Sequence, residues 1–154
     1  MNISFPVTVV TAPILGAVMG GFLTNRCIGS YEDKRAMRMC LLVYLAYTLI
    51  SIPGPLTSNI VVWFGIVWVA LFLQGFVQPV LMGIILTSVS QIQRPTASSL
   101  ANFLMTGLGT MIGPVIYGLL QDAFPDSPRV AMAFVFWSPV FGLLCLALAA
   151  LFQK

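Results

Sequence analysis

The charged residues of this 154-residue chain fall in a few short intervals, and the stretches between them are long and uncharged. A helix needs about 20 apolar residues to cross roughly 30 Å of hydrocarbon. The first, third and fourth uncharged stretches are therefore each long enough for one membrane-spanning helix, and the second is long enough for two. The stretches cover residues 1–25, 39–93, 95–121 and 130–153. The charge map thus predicts five spans.

Composition supports a lipid environment and narrows the function. Hydrophobic residues make up 59% of the chain and charged residues 7%, whereas a soluble domain has about 25% charged residues with which to cover a water-facing surface. With no histidine, three cysteines and four carboxylates, the chain lacks the groups for a zinc site or a Ser/His/Asp triad. We therefore expect an all-α polytopic membrane bundle in contact with the lipid bilayer, not an enzyme, with no cofactor, no metal and no nucleic-acid partner.

Turn-forming residues divide the longest stretch. Residues 53–59, Pro-Gly-Pro-Leu-Thr-Ser-Asn, predict a turn between the second and third spans, because these residue types interrupt helices or favour turns and caps. Pro95 disfavours helix in the residue before it and predicts that the fourth span starts after it. The spans form a single transmembrane domain over residues 1–154. They are predicted near residues 5–24, 38–53, 60–87, 97–120 and 130–152.

The distribution of lysine and arginine predicts an orientation. If the five spans alternate, one side of the membrane carries every lysine and arginine except Arg129. Cytoplasmic loops retain positive charge, so we expect the N-terminus outside, the C-terminus in the cytosol, and cytosolic loops at 25–37 and 88–96. Residues 1–24 have no basic n-region and contain Pro6 and Pro13, which favours a span over the alternative of a signal peptide.

Polar side chains inside the predicted spans are candidates for a solute path, because an uncompensated polar group in hydrocarbon is costly. Gln74 and Gln78 are four residues apart and share one helix face. The alternative is helix packing, in which small residues permit close approach and amides or hydroxyls bond across an interface for about 1 kcal/mol. Bulky amides pack poorly, which favours the solute path for the glutamines. A second stripe, in the fourth span, comprises Ser98, Asn102, Thr106, Gly109 and Gly113.

Prolines inside the predicted spans indicate bent helices, and the lack of charged residues at the span centres bears on ion coupling. A proline within a helix removes a hydrogen bond and tends to kink it, although prolines are also frequent in ordinary membrane helices. None of the predicted spans has Asp, Glu, Lys or Arg at its centre, so these spans offer no evident residue for ion coupling. The prolines within or near the span interiors are Pro13, Pro79, Pro114 and Pro139.

The loop after the first span resembles a motif of the major facilitator superfamily. Residues 20–29, Gly-Gly-Phe-Leu-Thr-Asn-Arg-Cys-Ile-Gly, are similar to the Gly-x-x-x-Asp-Arg-x-Gly-Arg loop of these transporters. Asn25 replaces the acidic residue, one extra residue precedes Gly29, and Ser30 stands at a basic position. In the family this loop latches the inward gate. The resemblance implies a cytosolic gate loop formed by Gly21, Asn25, Arg26, Gly29 and Arg94.

The fourth span resembles the eleventh helix of facilitator transporters, especially their spinster-like and organic-anion branches. The similar residues, in order, are Arg94 to Ser99, Asn102, Gly107, Gly109, Gly113-Pro114, Tyr117-Gly118 and Asp122. The likeness covers nearly the whole chain and equates the five spans with helices eight to twelve of a twelve-helix transporter, with helices two to six as the other possible register. Helices nine and twelve would lie outside the central path.

Residue roles follow from this resemblance. The substrate pathway is assigned to Gln74, Gln78, Asn102 and Thr106. Helix packing and bending in the eleventh helix are assigned to Gly109, Gly113, Pro114 and Gly118.

The sequence therefore predicts part of a secondary transporter that moves a small organic solute or lipid by alternating access. Facilitator halves contain six helices around a midplane site, so five spans predict a fragment that lacks the N-terminal half and works with it or with partner helices. The alternative is a small structural or regulatory membrane protein that oligomerises through Gly, Ser and Thr faces. The identity of the substrate does not follow from the sequence.

Overall fold

The regular structure of the chain is entirely helical in the part that the computed structural model describes, which comprises residues 4–27, 29, 31, 34–105, 107, 112–125 and 127–152. This confirms the predicted all-α fold. Short 3-10 turns at Gly54–Leu56 and Gln91–Gln93 flank the third helix. The α-helices are α1 Ser4–Cys27, α2 Lys34–Ser51, α3 Ile60–Thr87, α4 Arg94–Leu104, α5 Ile112–Ala123, α6 Pro128–Trp137 and α7 Pro139–Phe152.

Four segments of the described chain are long and apolar enough to cross a membrane: Pro6–Arg26, Lys34–Leu56, Ile60–Thr87 and Arg129–Leu151. The chain is therefore an integral membrane protein. These segments correspond to the first, second, third and fifth predicted spans. The fourth predicted span falls on α4 and α5, and residues 106 and 108–111 between them lie outside the described residues.

The bounds of α3 agree with the prediction because both of its ends carry a local signal. At the start, the side chain of Asn59 accepts a hydrogen bond from the amide of Val61 at 3.0 Å, an N-cap that satisfies one of the free donors of the first turn. At the other end, the hydroxyl of Ser88 donates to the carbonyl of Ile84 at 2.8 Å. With about 1.5 Å of rise per residue, this helix is about 42 Å long and exceeds the hydrocarbon core.

Helices α1 and α3 pack with their backbones in contact. A Cβ atom at Gly16 would collide with the carbonyl oxygen of Phe72, and one at Gly20 would collide with the carbonyl oxygen of Phe76. The second contact lies four residues further along both helices than the first, so the two helices run parallel. In lipid, helices associate through close van der Waals packing, and glycine permits the shortest approach.

The face of α1 that meets α3 consists of small residues at every fourth position. The hydroxyl of Thr24 donates to the carbonyl of Gly20 at 2.7 Å, so this buried polar group is satisfied within its own helix. On α3, Gly75 lies against the backbone of Pro13. The buried members of the stripe on α1 are Ala12, Gly16, Gly20 and Thr24.

The buried core lies between α2 and α3 and is closed by α7. Leu146 of α7 packs against it. Helix α7 runs antiparallel to α2, because Arg38 and Ala150 line one groove while Tyr44, further along α2, contacts Gly142. The buried residues of this cluster are Ala36, Met37, Cys40, Phe76, Val77, Val80 and Ile84.

Helix α4 folds back along α3. Met105, just past α4, lines the same pocket as Gln74 at the middle of α3, so the chain has returned from the end of α3 to its centre. Helix α6 starts at the opposite end of the bundle, because Arg129 shares a pocket with Gly54 of the turn between α2 and α3. Arg94 and Arg129 thus lie at opposite ends of the bundle, and the fourth span stays a prediction.

Of the prolines predicted to bend helices, Pro139 coincides with an interruption. Ser138 separates α6 from α7, and its hydroxyl donates to the carbonyl of Val135 at 2.8 Å, the acceptor that an amide at position 139 would use in a continuous helix. In contrast, Pro13 and Pro79 lie inside unbroken helices.

The start of α4 differs from the prediction. We predicted that the helix begins after Pro95, but α4 begins at Arg94 with Gln93 as N-cap. Proline is tolerated in the first turn of a helix because the amides there have no intrahelical acceptor. Pro95 is therefore part of the helix start.

Candidate functional site

A pocket of about 530 Å³ lies between α2, α3 and the start of α7. Polar groups from α2, from α3 and from the joint between α6 and α7 line it, and its remaining lining is apolar. None of the side chains that line it is charged at neutral pH. The lining residues are Tyr44, Tyr47, Gln74, Val77, Gln78, Leu81, Met105, Ser138, Pro139 and Gly142.

Gln74 and Gln78 place two amides in this pocket at the middle of α3. Both side chains are exposed, and neither has a hydrogen-bond partner among the described residues. The four-residue spacing that predicted a shared face is thus confirmed by the shared pocket. An amide offers two donors and an acceptor, so the pair presents a strip of unused hydrogen-bonding groups within the apolar length of the helix.

Two tyrosines of α2 line the same pocket as the amides. The rings of Tyr44 and Tyr47 pack edge to face with centroids 5.5 Å apart. The hydroxyl of Tyr44 lies against the backbone of α7 at Gly142, where a larger residue would collide with it. The close approach of α7 at this glycine fixes the wall of the pocket.

Most hydroxyls near the pocket are already used by their own helices. Thr48 donates to the carbonyl of Tyr44 at 2.9 Å, Ser51 donates to the carbonyl of Tyr47 at 2.8 Å, and Ser138 donates to Val135. Serine and threonine commonly satisfy themselves in this way inside helices. The glutamines differ, because no group in the described ranges hydrogen-bonds to their amides.

The other two residues predicted for the substrate pathway are Asn102 and Thr106. Asn102 is exposed on α4, one turn before Met105, and does not line the pocket. Thr106 lies outside the described residues. The family resemblance implies that the second and fifth spans lie outside the solute path, yet α2 and α7 supply much of the wall around Gln74 and Gln78. The pocket therefore differs from the arrangement that the resemblance implies.

The predicted gate residues Gly21, Asn25 and Arg26 lie within the last two turns of α1, which extends to Cys27, and only Gly29 follows the helix. Gly29 has a φ of 72°, in the left-handed region that favours glycine, and its amide donates to the carbonyl of Thr24 at 3.3 Å. Arg26 is exposed, with its guanidinium carbon 5.8 Å from the ring centroid of Phe22. Past the loop, the ring of Tyr31 lies against Gly83 near the end of α3.

The remaining gate residues are surface positions. Asn25 is exposed, and a Cβ atom at Gly21 would meet nothing within 4 Å. Arg94 is exposed at the first residue of α4. The contacts described for these residues do not join them into one latch, and the gate stays a prediction.

The residues predicted for helix packing and bending lie on α5 or just before it. A Cβ atom at Gly113 or at Gly118 would meet nothing within 4 Å. Pro114 is the third residue of α5 and is exposed. Gly109 lies outside the described residues. Their packing role also stays a prediction, whereas close packing is found at Gly16, Gly20, Gly75, Gly83 and Gly142.

Three pocket residues, Tyr44, Tyr47 and Ser138, were not predicted from the sequence. Tyr44 and Tyr47 are three residues apart and share a helix face, and a tyrosine inside a span needs a place for its hydroxyl. That signal was present in the sequence. The position of Ser138 depends on how α7 meets α2, which the sequence alone does not specify.

Comparisons of the chain with known protein families, with curated proteins and with solved structures found no match. The described part of the chain contains no group of three or more histidine, cysteine or acidic residues that could hold a metal ion. The pocket lined by Gln74 and Gln78 is therefore the feature that bears on function.

Proposed function

We propose that the chain is part of a secondary transporter that moves a small organic solute or lipid across a membrane by alternating access. The observation that carries the proposal is the pair of amides of Gln74 and Gln78, which have no hydrogen-bond partner in the described part of the chain and line a pocket at the middle of a membrane-spanning helix. Leaving such a group unsatisfied in hydrocarbon costs several kcal/mol. Water or a solute in the pocket removes that cost, and transporters hold their solutes near the bilayer midplane.

The chemistry of the pocket favours an uncharged solute with both polar and apolar parts. The amides of Gln74 and Gln78 supply donors and acceptors on one wall, and the hydroxyl groups of Tyr44 and Tyr47 are carried by the other. The apolar lining between them suits a hydrocarbon portion. A volume of about 530 Å³ lies in the range of small-molecule sites, roughly 300–1,000 Å³.

Transport of this kind requires more helices than the chain provides. Facilitator-type transporters use two six-helix halves around one site. We propose that an N-terminal half or partner helices complete the path, with the chain as helices eight to twelve. The uncovered surface of α4 around Asn102 and the open surroundings of Gly113 and Gly118 are consistent with helices docking there.

We propose that the N-terminus lies outside and the C-terminus in the cytosol. The charges support this orientation, because Arg26, Lys34, Arg35 and Arg38 surround the turn between α1 and α2, while Arg129 lies at the opposite end of the bundle. Cytoplasmic ends retain positive charge. The proposed gate loop would then face the cytosol.

The second candidate is a structural or regulatory membrane protein that oligomerises through helix faces. The exposure of Asn102 and the open sides of Gly113 and Gly118 also favour it, since amides and small residues can associate helices of neighbouring chains. The two candidates differ in what Gln74 and Gln78 meet: water and solute in a transporter, or another helix in an oligomer.

Thiol labelling of the full chain in its membrane tests the proposal. In a variant in which Cys27, Cys40 and Cys145 are replaced by serine, we expect Gln74→Cys and Gln78→Cys to react with a water-soluble methanethiosulfonate reagent, because the pocket admits water.

Leu42→Cys is the matched control, since Leu42 is 67% exposed at the middle of α2 without lining the pocket and would face lipid. Labelling at positions 74 and 78 that is no faster than at 42 would contradict the transporter. Disulfide cross-linking of Asn102→Cys between chains, combined with protection of positions 74 and 78, would support the oligomer instead.

A further inference from the structure

A second groove, separate from the central pocket, lies between α2 and α7 at the end of the bundle where α2 begins. It has a volume of about 510 Å³. Its lining combines two cations with an apolar floor, and no carboxylate of the described residues takes part. The lining residues are Lys34, Met37, Arg38, Leu41, Ala147, Ala150 and Leu151.

The two cations lie at the mouth of the groove on one face of α2. Lys34 and Arg38 are four residues apart, one helical turn, and both are exposed. Lys34 is the first residue of α2, which places both charges where the helix leaves the membrane. Glu32 and Asp33, which precede them in sequence, lie outside the described residues.

The groove continues from these charges toward the interior of the bilayer. Leu41 is one turn further along α2, and Ala147 is one turn before Leu151 on the antiparallel α7. The candidate membrane span that contains α2 begins at Lys34, and the one that contains α7 ends at Leu151. The groove therefore starts at the membrane surface, with positive charge, and extends along two apolar helices beside the hydrocarbon.

We propose that this groove binds an anionic phospholipid. The headgroup phosphate lies between Lys34 and Arg38, and an acyl chain lies along Leu41 and Ala147. Charge complementarity carries the assignment: two cations attract a phosphate that bears net negative charge, and basic pockets between helices at the cytoplasmic surface bind such headgroups. An apolar segment of a protein partner would not require the paired charges at the mouth. The proposal is independent of transport, because it requires only that the bundle lies in a membrane.

Native mass spectrometry of the full chain in neutral detergent tests the site, with dioleoyl phosphatidylglycerol as the anionic lipid and dioleoyl phosphatidylcholine as the zwitterionic one. We expect phosphatidylglycerol to bind more tightly than phosphatidylcholine. Each cation near the surface contributes roughly fivefold to affinity, so Lys34→Gln/Arg38→Gln should weaken phosphatidylglycerol binding on the order of 30-fold. Arg129→Gln, at the opposite end of the bundle, is the matched control and should leave this binding unchanged.

A second variant tests the apolar part without altering charge. Ala147→Phe fills the groove and should weaken phosphatidylglycerol binding while Lys34 and Arg38 remain, which also covers the case in which the double variant does not fold. Glycerol 3-phosphate, a soluble headgroup, should not displace the lipid. Equal binding of the two lipids, unchanged binding by Lys34→Gln/Arg38→Gln or by Ala147→Phe, or displacement by glycerol 3-phosphate would each overturn the proposal.

Discussion

Two adjacent glycines of α1 have opposite surroundings. A Cβ atom at Gly20 would collide with the backbone of Phe76, whereas one at Gly21 would meet nothing within 4 Å. The obstacle at Gly20 is the main chain of α3, which cannot rotate away as a side chain could. A methyl group there must separate the two helices along their contact.

We expect Gly20→Ala to lower the free energy of unfolding by about 1–3 kcal/mol, the usual cost of overpacking a tight contact. Gly21→Ala is the matched control, with a change between zero and a gain of about 1 kcal/mol, because alanine favours helix over glycine. Unfolding of the two variants in the same detergent measures the difference. Equal stabilities would show that α1 and α3 are not held by backbone contact at Gly20.

Single residues could be predicted where their chemistry contrasts with the surroundings. Gln74 and Gln78 stand out in an apolar helix, and their spacing specifies a common face, so both were found. Gly16 and Gly20 were missed although their spacing is that of a packing motif. Their partner Gly75 lies on another helix, and the pairing of the two depends on how the bundle assembles.

At the scale of elements, the joint between α6 and α7 is the least regular feature near the pocket. Ser138 separates the helices, Pro139 provides no amide donor, and both residues line the pocket. A hydrogen bond connects the end of α6 to the chain just after α2, because the indole nitrogen of Trp137 donates to the carbonyl of Ile52 at 3.3 Å. A substitution at Ser138 or Pro139 therefore alters the lining of the pocket directly.

Pro139→Ala should join α6 and α7 into a continuous helix, because an amide at position 139 can donate to the carbonyl of Val135. We expect slower hydrogen exchange in a peptide that covers residues 134–142. Pro79→Ala, in the unbroken α3, is the control and should leave exchange in that peptide unchanged. Unaltered exchange in Pro139→Ala would mean that the interruption does not depend on proline.

Helix bounds could be predicted where local hydrogen-bonding residues mark them. Asn59 caps α3 through its side chain, and the predicted bounds 60–87 agree with those of the structure. The start of α4 was placed too late because Pro95 can either break a helix or open one. Local sequence does not distinguish these roles, since the choice depends on where the chain enters the bundle.

At the scale of the whole molecule, the helices place the two groups of positive charge at opposite ends. Lys34 and Arg35 lie at the start of α2, while Arg129 lies beside the turn between α2 and α3. Charge counting along the sequence predicted this separation. The sequence could not indicate which helices enclose the polar residues, because that depends on the contacts of α2 with α7.

Labelling from each side of the membrane tests both the orientation and the fourth predicted span. In the cysteine-free variant, we expect Ser58→Cys and Ser127→Cys to react from outside and Ser90→Cys to react from the cytosol. All three serines are exposed in turns. The expectation follows because the chain passes between the two ends of the bundle from Arg94 to Arg129.

Impermeant maleimide applied to sealed vesicles of opposite orientation measures the side, and Val80→Cys, at a fully buried position, is the unreactive control. If positions 90 and 127 react from the same side, residues 94–128 do not cross the membrane and the fourth predicted span is wrong. If positions 58 and 127 react only from the cytosol, the orientation is inverted.

The parallel contact between α1 and α3 has a consequence for biosynthesis. Helix α1 leaves the ribosome before α3 has been translated, so the face formed by Ala12, Gly16, Gly20 and Thr24 initially meets lipid or the insertion machinery. It can reach Phe72 and Phe76 only after α2 has crossed in the opposite direction. The order of synthesis thus makes the tightest contact of the bundle a late one, and a nascent chain stalled before α3 would expose a surface that membrane quality control can recognise.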